Sequence, residues 1–392
     1  MRQAPVQQTL IQQAPVRQRP GSGATVRVAA VDCGTNSLRL LIADVDAGRG
    51  ELADVIRRVE IVRLGQGVDA TGRLAPEALD RTLRVLADYA AAIRSAGAGP
   101  MRMVATSATR DAANAAEFVR GVRQILGIEP EVISGAEEAG LSFAGATAEL
   151  ARPRPGEPGP DRAPNPDGAA SDSAVLDGAA SDGAVPDSAA SDSAASDSAA
   201  LDGLRPPFLV VDIGGGSTEL VLGREAGSVP RAAVSVNIGC VRLTERHLRS
   251  DPPSVTEIAA ATADIDAALA EAAATVPAAS ARTLVGLAGS VTTVTAIALG
   301  LPAYDPARIH YARTPASVVH EVTLSLLGES REQRATRPVL HPGRVDVIGA
   351  GALILDRTMA RFGFAELVTS EHDILDGIAW SLARAQAPAG RA

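Results

Sequence analysis

The chain carries two copies of one strand–turn–strand pattern, and this duplication constrains the fold more than any other feature. The second copy, residues 211–221, reads VDIGGGSTELV: an apolar strand, an aspartate, a glycine-rich turn with hydroxyl residues, and a second apolar strand. The first copy, residues 31–42, reads VDCGTNSLRLLI in the same order. Glycine-rich turns expose successive N–H groups that can close on phosphate oxygens. Two copies in one chain predict two similar halves that face each other across a cleft.

Each turn is a candidate phosphate site with a carboxylate at its entrance. Asp32 and Asp212 end the first strand of their copies and occupy equivalent places. A carboxylate there can hold Mg²⁺, which takes hard oxygen ligands. The alternative is a tight hairpin in which Asp and Asn side chains bond only their own backbone. The matched order of the two copies favours the phosphate site.

The remainder of the chain alternates strands and helices on both sides of a polar segment, which predicts an α/β fold. We expect an N-terminal domain at residues 24–150 and a C-terminal domain at residues 206–386. Between them, residues 151–205 carry an aspartate at every fifth position from Asp167 to Asp202. That period forms no apolar face, so the segment is predicted to be a disordered insert. Residues 1–23 and 387–392 are predicted to be tails.

Composition excludes several classes of protein. The formal net charge is −9, whereas a nucleic-acid-binding protein is expected to be basic. The chain contains no lysine, so phosphate contacts would fall to arginine forks and backbone amides. No apolar run approaches the roughly 20 residues that cross a membrane. The two cysteines, Cys33 and Cys240, suggest a reducing cytoplasm, and the five histidines show no metal-ligand spacing.

Three further segments carry candidate site residues. Ser134 and Glu137 have the spacing of a helix capping box, which leaves Glu138 without a structural role of its own. Glu138 could orient or deprotonate water, or it could be a solvated first-turn acid. Ser107 and Arg110 follow a strand, and Gly289 and Ser290 occupy the equivalent place in the second half. Both segments suit an anion at a helix start, and ordinary caps are the alternative.

The set of motifs AAVDCGTNSLRLLIADV, TSATRDAAN, VISGAEEAGLSFAG, LVVDIGGGSTELVLG, GLAGSVTT and SEHDILDGIAW resembles the Ppx/GppA family of exopolyphosphatases and guanosine pentaphosphate phosphohydrolases. The resemblance covers about residues 24–150 and 206–386. It implies a duplicated actin-like (ribonuclease H-like) ATPase fold, with two domains around a central cleft. We expect a short form without the C-terminal HD-type domain of longer members, which leaves chain-length preference open.

The resemblance also implies roles for the site residues. Glu138 matches the catalytic base that activates water. Asp32, Asp212 and Glu219 match carboxylates near Mg²⁺, the expected cofactor. The expected phosphate-binding residues are Gly34, Thr35, Asn36, Ser37, Arg39, Ser107, Arg110, Gly214, Gly215, Gly216, Ser217, Thr218, Gly289 and Ser290.

We therefore expect an exopolyphosphatase that releases terminal phosphate from polyphosphate by Mg²⁺-assisted attack of water. The alternatives are a pppGpp 5′-phosphohydrolase on the same site, a kinase of the same superfamily, and a non-catalytic polyphosphate or alarmone sensor. The kinase would need adenosine and acceptor sites, for which the sequence offers no signature, and a sensor has no use for Glu138. Polyphosphate or pppGpp is the expected ligand, without nucleic acid or membrane, and a homodimer is left open.

Overall fold

The computed structural model describes residues 25–151, 204–224 and 229–386. The two predicted tails, and nearly all of the predicted insert at residues 151–205, lie outside these ranges. Within the described ranges, no helix is both long and apolar enough to cross a lipid bilayer.

The first half contains a five-stranded mixed sheet. Its strands are β1 (Val26–Cys33), β2 (Ser37–Asp46), β3 (Glu51–Ile61), β4 (Met101–Ala105) and β5 (Glu131–Val132). Its helices are α1 (Val68–Thr71), α2 (Pro76–Ala96), α3 (Ser107–Asp111), α4 (Ala115–Leu126) and α5 (Gly135–Thr147). The strand order is β3-β2-β1-β4-β5, with β1 antiparallel to β2 and parallel to β4.

The second half contains a six-stranded sheet. Its strands are β6 (Phe208–Ile213), β7 (Thr218–Gly223), β8 (Ala232–Val236), β9 (Thr283–Leu287), β10 (Arg313–Pro315) and β11 (Glu366–Thr369). Its helices are α6 (Cys240–Arg246), α7 (Val255–Thr275), α8 (Ala288–Ala298), α9 (Pro306–Ile309), α10 (Ala316–Gly328), α11 (Arg331–Ala335), α12 (Ile348–Phe362) and α13 (Ile374–Gln386). The strand order is β10-β11-β9-β6-β7-β8.

The two sheets share one plan. The order β8-β7-β6-β9-β11 in the second sheet repeats β3-β2-β1-β4-β5 in the first, with β10 added at the edge. In both sheets the two hairpin strands are antiparallel, and the next strand joins in parallel after a helical crossover. The structure therefore confirms the predicted duplicated actin-like α/β fold. The short elements β10, α9 and α11 were not predicted, because three to five residues carry too little periodicity.

One helix from each half packs on the sheet of the other half. Helix α5 buries Ala139 and Phe143 against β6 and β7, while α13 buries Ile378 and Trp380 against β1 and β2. Helix α13 belongs to the predicted C-terminal domain by its place in the sequence, but it lies on the sheet of the first half. The predicted limits of the two domains therefore stay predictions.

Helices α5 and α13 cross in close contact. A Cβ on Gly145 would lie 1.8 Å from the Asp373 carbonyl oxygen, and one on Gly377 would lie 2.0 Å from that of Leu141. Only glycine fits at either point, and a larger residue would cost about 1–3 kcal/mol or more through overpacking. The crossing fixes the helix that carries Glu138 relative to the segment that carries Asp373.

Candidate active site

The two hairpin turns have the same backbone geometry. In the first, the N–H of Gly34 donates to the Ser37 carbonyl at 2.9 Å; in the second, the N–H of Gly214 donates to the Ser217 carbonyl at 3.0 Å. The strand register places Asp32 opposite Arg39 in the first hairpin. The same register places Asp212 opposite Glu219 in the second. Equivalent positions therefore hold a cation in one hairpin and a second carboxylate in the other.

Neighbouring segments bind the carbonyl groups of both turns. The N–H groups of Val62 and Arg63 donate to the Asn36 carbonyl at 3.0 and 2.8 Å. At the start of α6, the N–H groups of Cys240 and Val241 donate to the carbonyls of Gly214 and Gly215 at 3.0 and 2.9 Å. Within the described residues, no acceptor takes the N–H of Thr35, Asn36, Gly215 or Gly216. Such successive free N–H groups form a concave anion site.

The two turns touch each other across the cleft. A Cβ on Gly215 would lie 2.9 Å from the Cβ of Thr35, and one on Gly216 would lie 2.6 Å from the Ser107 Oγ. The Thr35 and Ser107 hydroxyls share a 2.8 Å hydrogen bond. The glycines of the second turn therefore also allow the two halves to approach closely.

In the first hairpin, Arg39 compensates the charge of Asp32. Its Nε and Nη2 donate to one oxygen of Asp32 at 2.9 and 2.6 Å, and its Nη1 donates to Asp373. Burial lowers the pKa of Arg39, but the Asp373 and Asp32 carboxylates outweigh it and raise the pKa overall. Arg39 is therefore a permanent cation at the cleft.

In the second hairpin, two buried carboxylates face each other with hydroxyl groups as their hydrogen-bond partners. Ser142 on α5 donates to Asp212 at 2.6 Å, and Ser235 on β8 donates to Glu219 at 2.7 Å. Burial raises the pKa of Asp212 to about 6, although Arg39 opposes the shift. Burial, followed by repulsion from Asp212, raises the pKa of Glu219 to about 8. Unlike Asp32, which pairs with Arg39, Asp212 and Glu219 form no ion pair among the described residues.

Glu138 lies in the first turn of α5, facing both hairpins. Ser134 accepts the N–H of Glu137 at 3.2 Å and so caps the helix, while Glu137 pairs with Arg102 at 2.7 Å. Glu138 is 8% exposed, and its Oε2 lies 3.4 Å from Arg110 Nη1. Burial raises its pKa, and the Glu219, Asp212 and Asp32 carboxylates raise it further. The capping residues thus leave Glu138 free to project into the cleft.

Arg344 adds a second cation to the cleft. A Cβ on Gly289 would lie 1.6 Å from Arg344 Nη1, so the guanidinium rests directly on the first turn of α8. In the described parts of the chain, Arg344 forms no ion pair, and burial lowers its pKa. Ala288, the residue before Gly289, has φ +67°. This left-handed conformation directs the first turn of α8 toward the cleft. An anion bound here would meet the guanidinium and the helix start together.

The carboxylates fit the predicted Mg²⁺. Asp32 Oδ1 and Glu219 Oε2 are buried oxygens with no hydrogen-bond partner within the described residues. A buried carboxylate oxygen without a partner is costly, and a divalent cation would satisfy it. Together with Asp212, they offer the all-oxygen donor set that Mg²⁺ prefers.

Most of the predicted site residues line one cleft. These are Asp32, Gly34, Thr35, Asn36, Ser37, Arg39, Ser107, Glu138, Asp212, Gly214, Gly215, Ser217, Gly289 and Ser290. Four others lie directly behind it. Glu219 and Thr218 are fully buried, and Thr218 donates its hydroxyl to the Ile238 carbonyl at 2.6 Å. Gly216 contacts Ser107, and Arg110 donates to the Ile133 carbonyl at 2.9 Å beside Glu138. The individual roles of all these residues stay predictions.

Four residues at the site were missed by sequence reasoning: Ser142, Ser235, Asp373 and Arg344. Ser142 lies four residues after Glu138 on the same helix, so helical spacing could have identified it. Asp373 lies within a motif that resembles the family, although no role was assigned to it. Ser235 and Arg344 come from segments without a distinctive pattern, so the sequence offered no signal for them.

A separate cluster, formed by Glu149, His310 and His372, lies beside the loop that carries Asp373. His310 Nδ1 accepts the N–H of Glu371 at 3.1 Å, and its Nε2 lies 3.2 Å from Glu149 Oε2. The proton of the neutral imidazole is therefore on Nε2 and points at the carboxylate. That tautomer leaves no lone pair for a metal at this position, so the cluster fits a loop-anchoring role better than a metal site.

Comparisons with known proteins agree with this geometry. The model of the Ppx/GppA phosphatase family matches residues 41–155 and 200–385. Exopolyphosphatase 2 of Mycobacterium tuberculosis (strain H37Rv) is 47% identical over 371 residues, covering 92% of this chain and 99% of the relative. Among solved structures, an exopolyphosphatase-like protein has 39% identity and a TM-score of 0.75, over 92% of this chain and 99% of that one. The Aquifex aeolicus PPX-GPPA enzyme has 27% identity and a TM-score of 0.66, over 91% and 99%.

Proposed function

This chain belongs to the Ppx/GppA phosphatase family, and from that premise we propose that it is an exopolyphosphatase, which removes the terminal phosphoryl group of inorganic polyphosphate. The single observation that carries the proposal is the arrangement of three buried carboxylates around a cleft lined by free N–H groups. Asp212 and Glu219 lie on one hairpin, and Glu138 faces them from α5. This arrangement combines a phosphate cradle, a metal-binding pair and a separate base.

Glu138 acts as the general base. Its carboxylate accepts a proton from the attacking water while the water oxygen bonds to the terminal phosphorus. The bond from that phosphorus to the bridging oxygen breaks in line, and the shortened polyphosphate leaves with the bridging oxygen. Arg110, 3.4 Å from Glu138 Oε2, stabilises the ionised form of the base. Burial raises the pKa of Glu138 and the Glu219 and Asp212 carboxylates raise it further, so positive charge bound beside those carboxylates would favour the ionised base.

The remaining residues bind and stabilise charge. The free N–H groups of both turns, Arg39 and Arg344 bind phosphoryl oxygens as charge spreads over them in the transition state. Asp212, Glu219 and the unpartnered oxygen of Asp32 would hold Mg²⁺. Bound Mg²⁺ supplies positive charge that neutralises these carboxylates and the phosphoryl oxygens. Ser142 and Ser235 orient the metal-binding carboxylates.

The direct test is phosphate release by the purified chain with Mg²⁺, measured on polyphosphate and on pppGpp side by side. We expect a higher kcat/KM on polyphosphate. The described residues offer contacts for phosphate groups and form no evident pocket for the guanine of pppGpp. A preference for pppGpp would instead establish the 5′-phosphohydrolase, which uses the same site and the same general base, Glu138. Tight binding of either compound without any turnover would overturn both enzymes and leave a sensor.

A further inference from the structure

Helix α6 holds the carbonyl groups of the second turn, and a side chain makes the third of these contacts. The backbone N–H groups at the start of α6 bind the carbonyls of Gly214 and Gly215. The carbonyl of Gly216 is bound instead by Arg242, whose Nε donates to it at 2.7 Å. The peptide between Gly216 and Ser217 is trans, so its N–H points away from its carbonyl. Arg242 therefore directs the Ser217 N–H away from α6.

The Ser217 N–H extends the row of free N–H groups in this turn. Ser217 lines the cleft, and no acceptor takes its N–H among the described residues. Glycine has wide freedom of φ and ψ, so the peptide after Gly216 needs an external contact to fix its direction. In the first turn, the equivalent carbonyl, that of Asn36, is fixed by the backbone N–H groups of Val62 and Arg63. The second turn therefore depends on one side chain where the first uses backbone.

The guanidinium of Arg242 also reaches the first half. Its two Nη groups donate to Asp69 on α1 and to Asp111 at the end of α3, the latter at 2.6 Å. Asp111 directly follows Arg110, which lies beside Glu138. One nitrogen of Arg242 thus binds the second turn, and the other two bind the half that carries Arg110 and Glu138. The direction of the Ser217 N–H is therefore tied to contact between the two halves.

Arg246, one helical turn later on α6, offers a comparison within the same helix. Its Nε and Nη2 donate to the same Asp69 at 2.6 and 2.8 Å, and its Nη1 lies 3.2 Å from Asp264. Among the described residues, none of its hydrogen bonds reaches the turn. Loss of Arg242 would leave Asp69 paired with Arg246, and Asp111 is exposed, so no buried carboxylate would lose its partner. Arg242 can therefore be replaced without leaving a buried charge alone.

We propose that Arg242 is a positioning residue, which aims the Ser217 N–H at the bound phosphoryl group while two aspartates of the first half hold its guanidinium. The proposal rests on the proposed function, because it requires a phosphoryl group in the second turn. Arg242 acts through the peptide after Gly216 and does not itself contact the phosphoryl group. An N–H fixed in direction before the ligand arrives contributes more to binding than one that must first be ordered.

The test measures tripolyphosphate binding by calorimetry in the presence of Mg²⁺, on the full chain carrying Glu138→Gln, which keeps the ligand intact. In this background Arg242→Met removes every donor and keeps an unbranched side chain. Arg246→Met is the matched control, because it removes the same kind of contact with the same Asp69. Arg242→Lys keeps a positive charge beside the two aspartates, but a single ammonium does not reproduce the planar fork that binds three separate groups.

We expect Arg242→Met to weaken tripolyphosphate binding about tenfold, the effect of one hydrogen bond to a charged group. Arg242→Lys should bind as weakly, although urea unfolding should show that it recovers part of the stability lost in Arg242→Met. Arg246→Met should bind within about twofold of its parent, because it joins the halves without touching the turn. Unchanged binding in Arg242→Met, an equal loss in Arg246→Met, or full recovery in Arg242→Lys would overturn the positioning role.

Failure of this proposal and failure of the proposed function give different results. A chain that shows the expected losses of tripolyphosphate binding, yet releases no phosphate with Glu138 intact, would overturn the enzyme and support the role of Arg242. A chain that releases phosphate, yet binds tripolyphosphate equally well in all variants, would overturn the role of Arg242 alone. A parent chain that binds no tripolyphosphate would overturn both.

Discussion

The two hairpins share a backbone and differ in charge. Seven residues after its aspartate, the first carries Arg39 and the second carries Glu219, and strand register places each opposite its aspartate. In the first hairpin Asp32 is paired with a cation, while in the second Asp212 and Glu219 repel each other in a buried environment. The comparison teaches that duplication supplied two turns of the same backbone shape, and that one residue on each returning strand gives them different charges.

The difference follows from the cost of burying charge. A buried ion needs a partner of opposite charge, because desolvation is expensive. Arg39 is a permanent partner for Asp32, so the carboxylate of the first hairpin has a cation beside it without a metal. Within the described residues the carboxylates of the second hairpin accept hydrogen bonds from serine hydroxyls and form no ion pair, so they favour either protons or a divalent cation. We infer that the first hairpin mainly binds phosphate and the second mainly binds metal.

The largest expected effect comes from the residue that belongs to neither hairpin. If the hairpins only bind, then the base must lie elsewhere, and Glu138→Gln should lower kcat by about 10²- to 10⁴-fold. The amide keeps the shape of the side chain, so KM and thermal stability should change little. Steady-state phosphate release checks this prediction. A Glu138→Gln protein that folds and keeps its full rate would move the base to one of the hairpins.

Removing the cation of the first hairpin should destabilise the protein strongly. Arg39→Gln leaves Asp32 and Asp373 without their shared partner, and breaking such a buried pair costs about 3–5 kcal/mol. Glu219→Gln on the second hairpin removes a repulsion instead, so the metal-free protein should be equally or more stable. Urea unfolding of both variants in chelator measures the contrast. Similar losses of unfolding free energy in both would show that the hairpins are electrostatically alike.

A smaller effect is expected behind the metal-binding carboxylates. Ser142→Ala removes the 2.6 Å hydrogen bond that orients Asp212, and such supporting residues typically contribute about 10- to 100-fold to metal affinity or activity. The Mg²⁺ concentration for half-maximal rate should rise accordingly, with kcat recovered at saturating Mg²⁺. Ser280→Ala, which removes a single bond to the Pro277 carbonyl outside the residues that line the cleft, is the matched control. An unchanged Mg²⁺ requirement would exclude this supporting role.

The smallest effect is a pH dependence of stability. The pKa of Glu219 is raised to about 8 in the folded protein, so the folded state holds a proton that the unfolded state releases near pH 4.5. Its stabilisation is therefore complete below pH 4.5 and is lost as pH rises toward about 8. In chelator, Tm should fall over this range, and the fall should be smaller in Glu219→Gln. A wild-type Tm that falls no more than that of the variant would contradict the assigned pKa.

Local patterns in the sequence predicted the parts of the fold and site that depend on neighbouring residues. The turns after Asp32 and Asp212, and the helix that begins at Gly135 with Glu138 in its first turn, each follow from a few adjacent residues. The duplication of the turn predicted the cleft, and the motifs that resemble the family added the actin-like arrangement.

Contacts between distant residues could not be predicted in the same way. Helical periodicity shows that α5 and α13 have an apolar face, but not that each covers the sheet of the other half. The contact of Arg39 with Asp373 joins residues 334 positions apart, and that of Ser142 with Asp212 joins residues 70 positions apart. The glycines of the second turn were predicted as an anion-binding turn. Their packing against Thr35 and Ser107 depends on how the two halves meet.

Metal titration of the two hairpins tests the central claim most directly. Mg²⁺ binding is measured by calorimetry on the wild type, Glu219→Gln and Asp32→Asn, with folding of each confirmed by circular dichroism. Glu219→Gln should weaken binding by more than about 100-fold, beyond the range typical of residues that only support metal ligands. Asp32→Asn should weaken it less than about tenfold, because Arg39 already compensates this residue. Equal losses in the two variants, or a larger loss in Asp32→Asn, would contradict the division of metal and phosphate between the hairpins.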